Sequence, residues 1–499
     1  MLANLDTLYA GHNVLPTAAA AAAAALSPQQ HQAAGDGGGI QDGEGSGGFN
    51  GDGGNGGSGG GGRGNGSSGN GGGDLGAALS GLSVSEPHGG DFGSSGDTQQ
   101  RGPSNGNGGG GDEGGSTSGD GGDAGTRVYY RRQLLGRSLQ GRRIDLITIT
   151  DCHGASGGVE RPPPGVITAD GDAGDDAEPC ALFPGKRTFF VSARVHPGET
   201  PATHMFNGLL ALILRPSDAR AAALRRAFVF KLVPHVNPDG VANGHYRQDT
   251  LGQNLNRLYT GVPDKSKAPS VWAIKQLLLY YCSLEEQQLE YYIDLHAHAN
   301  KKGVFTFGNA MSGEAQLSSL LYSRLCCLNS PVFDFHGCNY TEKNMSSKDK
   351  GGESKEGAGR VALFRETGLT HLYTVESSYN VARSGNNIVP EASGDHGGRV
   401  SPPSGKRPPP RLTPDLLRGA GRALAMAALE LRSANPWSRL PSSEYGSLEG
   451  ARAWLLSVAK SAGDDVRART LPPMSDASLE SLQAWESREG EPPGRPPAR

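Results

Sequence analysis

A long glycine-rich tract is the feature that most limits what this chain can fold into. From about residue 29 to residue 125 the sequence is mostly Gly, Ser, Asp and Asn, with runs such as Gly59 through Gly62. Such a segment has almost no apolar surface to offset the entropy that is lost when a chain becomes ordered. We therefore predict that residues 1–126 form a disordered low-complexity region, which excludes a single compact domain spanning all 499 residues.

Composition and charge narrow the class of protein. Apolar residues make up 35% of the chain, whereas globular domains contain roughly 45–50%, as expected when a folded part is diluted by unfolded segments. The net charge of -4 argues against a nucleic-acid partner bound through bulk positive charge. Six cysteines without regular pairs indicate a reducing compartment. We find no apolar run near the ~20 residues that span a bilayer, so no membrane partner is expected.

The start of the chain and its soft segments, which are stretches of loop-like composition, indicate the expected boundaries of the folded domain. Ala18–Ala25 is an alanine tract that no Lys or Arg precedes, so we interpret it as low complexity and not as a signal peptide. Residues 154–185 are rich in Gly, Pro and Asp and are predicted to be an exposed insertion. A further soft segment covers residues 384–411, and residues 440–499 are predicted to be a mostly disordered tail.

Between these breaks, patterns typical of strands alternate with patterns typical of helices. The segment 188–195 is a short β-branched and aromatic run, and the segment 201–214 has apolar residues at helical spacing. The same alternation continues to a last helix at 416–431. It predicts an α/β fold, a sheet with helices on both faces, although the pattern leaves open whether the sheet is parallel or mixed.

Two of the predicted strands end in residues that can bind a metal ion. His196 and Glu199 follow the first of them in a tight Pro-Gly turn, and His296 closes the strand that begins at Tyr291. Because strand ends on one edge of an α/β sheet converge, these three side chains can meet. Histidine nitrogen and carboxylate oxygen suit zinc, and Asp294 could orient a ligand.

An ordered series of motifs gives this site a family resemblance. The series consists of His196-Pro-Gly-Glu199, Asn237-Pro-Asp-Gly, Gly244-His-Tyr-Arg247, Asn254-Leu-Asn256-Arg257, Asp294-Leu-His296, Ser354-Lys-Glu-Gly357 with Gly359-Arg-Val, and Thr374-Val-Glu376-Ser-Ser. It resembles the cytosolic carboxypeptidase subfamily of zinc metallocarboxypeptidases. The resemblance implies the zinc carboxypeptidase fold, which has a mixed β-sheet, with the catalytic domain at residues 186–439. It also implies that residues 127–153 are the remnant of an N-terminal β domain.

The resemblance implies a metal site and a base. One zinc ion per chain would be bound by His196, Glu199 and His296, leaving a position for water. Glu376 would be the general base, which takes a proton from that water and passes it to the leaving nitrogen.

The resemblance also implies a substrate pocket. Arg247 would polarise the scissile carbonyl, and Asn256 and Arg257 would bind the terminal carboxylate of the substrate, a task that suits the planar arginine fork. Arg360 and Lys355 would line the pocket for the terminal side chain, and their positive charge favours glutamate. Removal of C-terminal or branch-point glutamate is therefore the expected reaction.

The expected partners are polyglutamylated tubulin or other glutamylated protein tails. The expected location is the cytoplasm, while association with microtubules or cilia and a nuclear location stay open. Two other functions remain as alternatives at this point. One is a non-catalytic module that binds tubulin or peptides, and the other is a zinc amidohydrolase of the aspartoacylase kind that acts on small molecules.

Overall fold

The computed structural model describes residues 127–168, 179–349, 351–383, 385–386, 388 and 409–470. The predictions for residues 1–126, for most of the soft segment 384–411 and for residues 471–499 lie outside these described residues.

Seven strands form one mixed sheet, whose bounds are β1 Val128–Arg137, β2 Arg143–Asp151, β3 Arg187–Ala193, β4 Phe228–Val233, β5 Leu289–His298, β6 Val304–Phe307 and β7 His371–Ser378. Across the sheet they follow the order β1-β2-β4-β3-β5-β7-β6. The central pairs β4-β3, β3-β5 and β5-β7 are parallel, whereas β1-β2, β2-β4 and β6-β7 are antiparallel. The structure thus confirms the predicted mixed sheet.

The helices of the described residues are α1 Thr200–Ile213, α2 Ala219–Ala227, α3 Pro238–Ala242, α4 Pro269–Ser283, α5 Gly313–Asn329, α6 Glu342–Ser346, α7 Gly359–Thr367, α8 Pro414–Leu431 and α9 Leu448–Thr470. One face of the sheet packs on α1, α2, α5, α8 and α9, around buried residues such as Phe189 and Leu209. The other face packs on α4 and α7, around residues such as Phe190 and Ile274. Helices on both faces are therefore confirmed.

Residues 127–153, which the resemblance interprets as the remnant of an N-terminal β domain, are part of the main sheet, and their origin in such a domain stays a prediction. Strands β1 and β2 form a hairpin that continues the main sheet, because β2 pairs with β4 in register Ile149 to Phe230. The hairpin is also tied to the rest of the domain by Asp239, which accepts a hydrogen bond from Ser138 Oγ at 2.6 Å. Local sequence identifies the strands, but it does not show which sheet they join.

Part of the segment 154–185 is buried and not exposed as predicted. Glu160 is 5% exposed and forms an ion pair at 2.7 Å with Lys231, which comes from the middle of β4. Tyr281 Oη and Gln287 Nε2 also donate to the Glu160 carboxylate, at 2.8 and 2.7 Å. Because a buried charge needs a partner, this segment packs against the sheet to neutralise Lys231.

The prediction of a mostly disordered tail after residue 440 also needs correction. Helix α9 lies in that region, and its residues Ala451 and Leu455 are buried against the core that contains α5. Trp454 stacks near Phe335 and under the guanidinium of Arg324, at 5.9 and 4.7 Å. The apolar residues in the first half of α9 attach this helix to the core.

None of the helices within the described ranges has the length and apolar character required to cross a bilayer.

Candidate metal centre and catalytic cleft

The turn after β3 begins at Arg194, which has a φ of 61° in the left-handed region. Few residues other than glycine adopt this conformation. The Arg194 guanidinium compensates by donating to the Pro197 carbonyl at 2.9 Å and to Thr203 Oγ1 at 2.7 Å. The closed turn carries His196 and Glu199 inward, where both are buried.

Three side chains converge at the carboxyl ends of β3 and β5. His196 Nδ1 lies 2.8 Å from Glu199 Oε1, and His296 Nδ1 lies 3.0 Å from Glu199 Oε2. The two Nδ1 atoms are 3.2 Å apart. Within the described part of the chain, these three residues are the group whose ligand atoms lie close enough to hold one ion. The structure therefore brings together the metal ligands predicted from the sequence.

The far side of each imidazole is held by an oxygen acceptor. His196 Nε2 lies 2.9 Å from Asn254 Oδ1, and His296 Nε2 lies 2.6 Å from Asp294 Oδ2. Because an amide or carboxylate oxygen can only accept, both Nε2 atoms carry a proton, so that each ring in its neutral form directs its Nδ1 lone pair to the centre. The predicted orienting role of Asp294 agrees with this contact.

The donor set fits a bound cation. Two nitrogen lone pairs and a carboxylate at these distances repel one another unless a positive charge lies between them. Two imidazole nitrogens with one carboxylate are a ligand set that zinc uses in catalytic sites. Burial alone would lower the pKa of His296, but Asp294 and Glu199 outweigh it and raise that pKa well above its usual value. The site therefore favours positive charge at its centre.

Glu376 lies beside this centre on β7, opposite His296 in the β5-β7 register. Its Oε2 is buried and has no hydrogen-bond partner among the described residues. Burial raises the pKa of Glu376 to about 7, and the charges of Glu199 and Asp294 act in the same direction while His296 opposes them. A carboxyl group with a pKa near neutrality can both accept and release a proton.

Two arginines border the centre. Arg247 Nη1 lies 3.5 Å from His196 Nδ1 and 4.0 Å from Glu199 Oε1. Arg257 is more buried, and its Nη2 donates to Asp349 Oδ2 at 2.9 Å. Arg247 Nη2 is 3.6 Å from the same oxygen, so one carboxylate bridges both guanidinium groups.

Asn256 has contacts that its predicted role did not include. Its Oδ1 accepts a hydrogen bond from the Gly359 N–H at 3.1 Å, and its Nδ2 lies 3.4 Å from His296 Nε2. The side chain thus joins the metal centre to the start of α7. Binding of a substrate carboxylate by Asn256 stays a prediction.

Arg360 and Lys355 line the same cleft. Arg360 is 3% exposed, and its guanidinium donates to Gly308 O, to Asn309 Oδ1 at 2.8 Å and to Asn344 Oδ1 at 3.2 Å. Burial lowers the pKa of Arg360 to about 10. Burial also lowers the pKa of Lys355, and the nearby charges of Arg257 and Arg360 add to that effect.

A single cleft of about 510 Å³ contains the whole arrangement. It is lined by every site residue predicted from the sequence, namely His196, Glu199, Arg247, Asn256, Arg257, His296, Lys355, Arg360 and Glu376. Sequence reasoning missed three contributors. Asn254 stood in a quoted motif without a role, whereas neither Arg194 nor Asp349 has a sequence signal that distinguishes it from an ordinary surface charge.

Comparisons with known proteins agree with this geometry. Residues 129–300 match the family model described as zinc carboxypeptidase, Peptidase_M14. Cytosolic carboxypeptidase-like protein 5 of Homo sapiens is 40% identical over 415 residues, which cover 66% of this chain and 46% of that protein. The protein of the same name from Ailuropoda melanoleuca is 38% identical over 447 residues, covering 70% of this chain and 50% of that protein.

The chain is similar to the zinc carboxypeptidases, whose family model matches residues 129–300. Its similarity within that family is to the cytosolic carboxypeptidases, as the predicted resemblance stated. Cytosolic carboxypeptidase 6 of Caenorhabditis elegans is a further relative, at 32% identity over 265 residues, 52% of this chain and 50% of that protein. The chain spans about half the length of the curated relatives it matches.

Proposed function

We propose that this chain is a zinc metallocarboxypeptidase that removes glutamate from the ends or branch points of glutamylated protein tails, with polyglutamylated tubulin as the expected substrate. The observation that carries the proposal is the buried positive charge of Arg360, whose hydrogen-bond acceptors are all neutral, in the same cleft as the three metal-binding side chains. A buried cation that lacks an ionised partner is costly unless a ligand supplies the opposite charge.

The acceptors around Arg360 explain why this charge calls for an anion. Its donors reach one backbone carbonyl and two side-chain amides, which are all neutral, and its Nε has no partner among the described residues. Lys355 lies near the positive charges of Arg257 and Arg360, which add to burial in lowering its pKa, while Glu376 and Asp349 oppose that effect. A glutamate side chain that enters the cleft beside Arg360 would bring a negative charge.

A zinc ion held by His196, Glu199 and His296 would lower the pKa of the attacking water and polarise the scissile carbonyl. Glu376 accepts the proton of that water and delivers it to the leaving amide nitrogen. The guanidinium of Arg247 stabilises the negative charge that develops on the carbonyl oxygen. Arg257 binds the free α-carboxylate, which restricts the reaction to chain ends and branch ends.

A comparison of peptides that end in Glu or in Gln tests the proposal. The two side chains have the same shape and differ in charge, so the zinc-loaded protein should release Glu far faster than Gln. Arg360→Leu should reduce kcat/KM for the Glu-ended peptide on the order of 100-fold, since the substrate anion loses its buried partner, and should change the Gln-ended peptide much less. Mass spectrometry of the products measures both rates.

Arg365→Leu is the matched control. Arg365 lies on α7 as Arg360 does, but it is exposed and pairs with Glu342 and Glu356. It should leave both rates unchanged. Equal losses on the two peptides in Arg360→Leu would remove the side-chain pocket from the proposal. Binding of Glu-ended peptides by the zinc-loaded protein without any hydrolysis would instead indicate a binding module.

A further inference from the structure

Asp349 occupies the part of the cleft in which the substrate's α-carboxylate is expected. Its Oδ2 accepts a hydrogen bond from Arg257 at 2.9 Å and lies 3.6 Å from Arg247 Nη2. Both guanidinium groups line the cleft that contains the metal-binding residues. A side-chain carboxylate from within the chain therefore already forms the contacts that an incoming terminal carboxylate needs.

The loop holds Asp349 ready for this contact. Its Oδ1 accepts hydrogen bonds from the backbone N–H groups of Gly351 and Glu353, at 2.9 and 3.2 Å. The backbone N–H of Asp349 in turn donates to the Glu353 carbonyl at 2.9 Å. Because one carboxylate oxygen is bound by the loop itself, the other oxygen is presented to the arginines at little further cost in side-chain entropy.

The same loop also reaches the metal centre. Glu353 Oε2 accepts a hydrogen bond at 3.2 Å from Asn254 Nδ2, the side chain whose oxygen holds His196. Displacement of Asp349 therefore need not detach the loop, since the Glu353 contact is separate from the arginines. The structure has two anchors for this loop, and only one of them lies where the substrate carboxylate would bind.

We propose that Asp349 is a specificity-determining residue, a resident carboxylate that the substrate's α-carboxylate must displace from Arg257. This inference rests on the proposed function, because it assumes that Arg257 receives the α-carboxylate. Asp349 therefore reduces the difference in binding affinity between a substrate with a free terminal carboxylate and one whose carboxylate is blocked. Arg360 differs in its contacts, since its hydrogen-bond acceptors are neutral groups and not a carboxylate.

Asp349→Asn tests this idea, because Asn retains the acceptor that binds Gly351 and Glu353 while losing the charge that binds the arginines. Binding is measured by calorimetry with zinc-loaded full-length protein that also carries Glu376→Gln, so that no cleavage occurs. The probes are a Glu-ended peptide acid and its C-terminal amide. The acid should bind roughly three- to tenfold more tightly to the Asn variant, in line with the loss of a partly exposed ion pair, and the amide should bind equally to both proteins.

Glu356→Gln is the matched control, because it makes the same change in net charge at an exposed position that pairs with Arg365. It should not alter either affinity. Asp349→Ser, which can also accept from the loop, should reproduce the gain if the Asn variant is unstable. Zinc content and Tm establish that each variant is folded.

Weaker or unchanged binding of the acid in the folded Asp349 variants would overturn the inference and would leave the proposed function intact. An Ala-ended acid separates the two further. If wild-type protein binds Ala-ended and Glu-ended acids equally, the glutamate pocket fails, while a gain for both acids in Asp349→Asn still supports displacement. If wild-type protein binds acids and amides equally, both proposals fail.

Discussion

At the scale of single residues, the chemistry of the cleft depends on how the surroundings of each carboxyl group shift its pKa. Glu199 and Asp294 each have a histidine within hydrogen-bond distance. Burial alone would raise the pKa of Glu199, but His196 and His296 outweigh burial and lower this pKa. Glu376 lacks such a partner at Oε2, and its pKa rises to about 7. The environment thus keeps one carboxylate ionised as a ligand and allows another to exchange a proton.

Glu376→Gln should separate metal binding from proton transfer. The amide has nearly the same shape but cannot accept the proton of the attacking water, so we expect zinc content to remain and turnover to fall by roughly 10²- to 10⁴-fold. Metal analysis and glutamate release on the same preparation give the two values. Substantial turnover by the variant would exclude Glu376 as the base.

The raised pKa of Glu376 also predicts a pH dependence of stability in protein freed of metal by a chelator. Between its usual value of 4.5 and about 7 the folded state holds a proton that the unfolded state has released. The free energy of unfolding should therefore fall as pH rises through this window. Glu376→Gln should show a shallower fall than wild type in urea titrations at several pH values, and parallel curves would contradict the assignment.

At the scale of elements, the cleft is positioned by strand ends and by one close helix crossing behind the sheet. Helices α1 and α8 approach so closely that a Cβ at Gly208 would meet the backbone of Arg418, and one at Gly421 would meet the backbone of Met205. Helix α1 begins directly after Glu199. The crossing therefore supports the helix that follows the metal-binding turn.

Gly208→Ala and Gly421→Ala should each destabilise the protein, by about 1–3 kcal/mol or more, because the facing atoms belong to backbone and cannot turn aside. Gly419→Ala is the control, since the nearest atom to its Cβ is Arg422 Nη2 at 3.6 Å. That change should be neutral or stabilising by about 0.5–1 kcal/mol, as alanine is the better helix former. Urea denaturation measures all three, and an equal effect at the three sites would contradict the close crossing.

At the scale of the whole molecule, the metal centre joins parts of the chain that are far apart in sequence. Its ligands follow β3 and end β5, and Asn254 reaches it from the loop between them. A ligand that binds only the folded state adds its binding free energy to the stability of the entire domain. An ion bound at this centre should therefore stabilise the whole domain against unfolding.

Zinc added to chelator-treated protein should raise its Tm by roughly 5–10 °C when the free ion is about 100-fold above Kd, a gain of about 2.7 kcal/mol. Mg²⁺ at the same concentration should leave the Tm unchanged, because it prefers six oxygen ligands and this site offers two nitrogens. Scanning calorimetry provides the comparison. An equal response to both ions would argue against a specific site at His196, Glu199 and His296.

Periodicity and strand-end polarity in the sequence were sufficient to predict the α/β class, the helices α1 and α8, and the meeting of His196, Glu199 and His296. These features are local, because burial of a strand or of one helix face imposes a repeat of two or about 3.6 on neighbouring residues. The motif series added the cleft arginines through resemblance. Helix α2 was not predicted, since its alanines and arginines carry no clear apolar face.

Only the tertiary structure decided which distant charges meet. The hairpin β1-β2 joins the main sheet through the pairing of β2 with β4. The ion pair of Glu160 with Lys231 joins residues 71 positions apart, and that of Asp349 with Arg257 joins residues 92 positions apart. Such pairs depend on how the loops pack against the finished sheet. An ion pair between distant residues produces no periodic pattern in the sequence from which it could be predicted. The sequence by itself therefore determined the ligands of the centre, whereas the fold determined what holds them and what competes with the substrate.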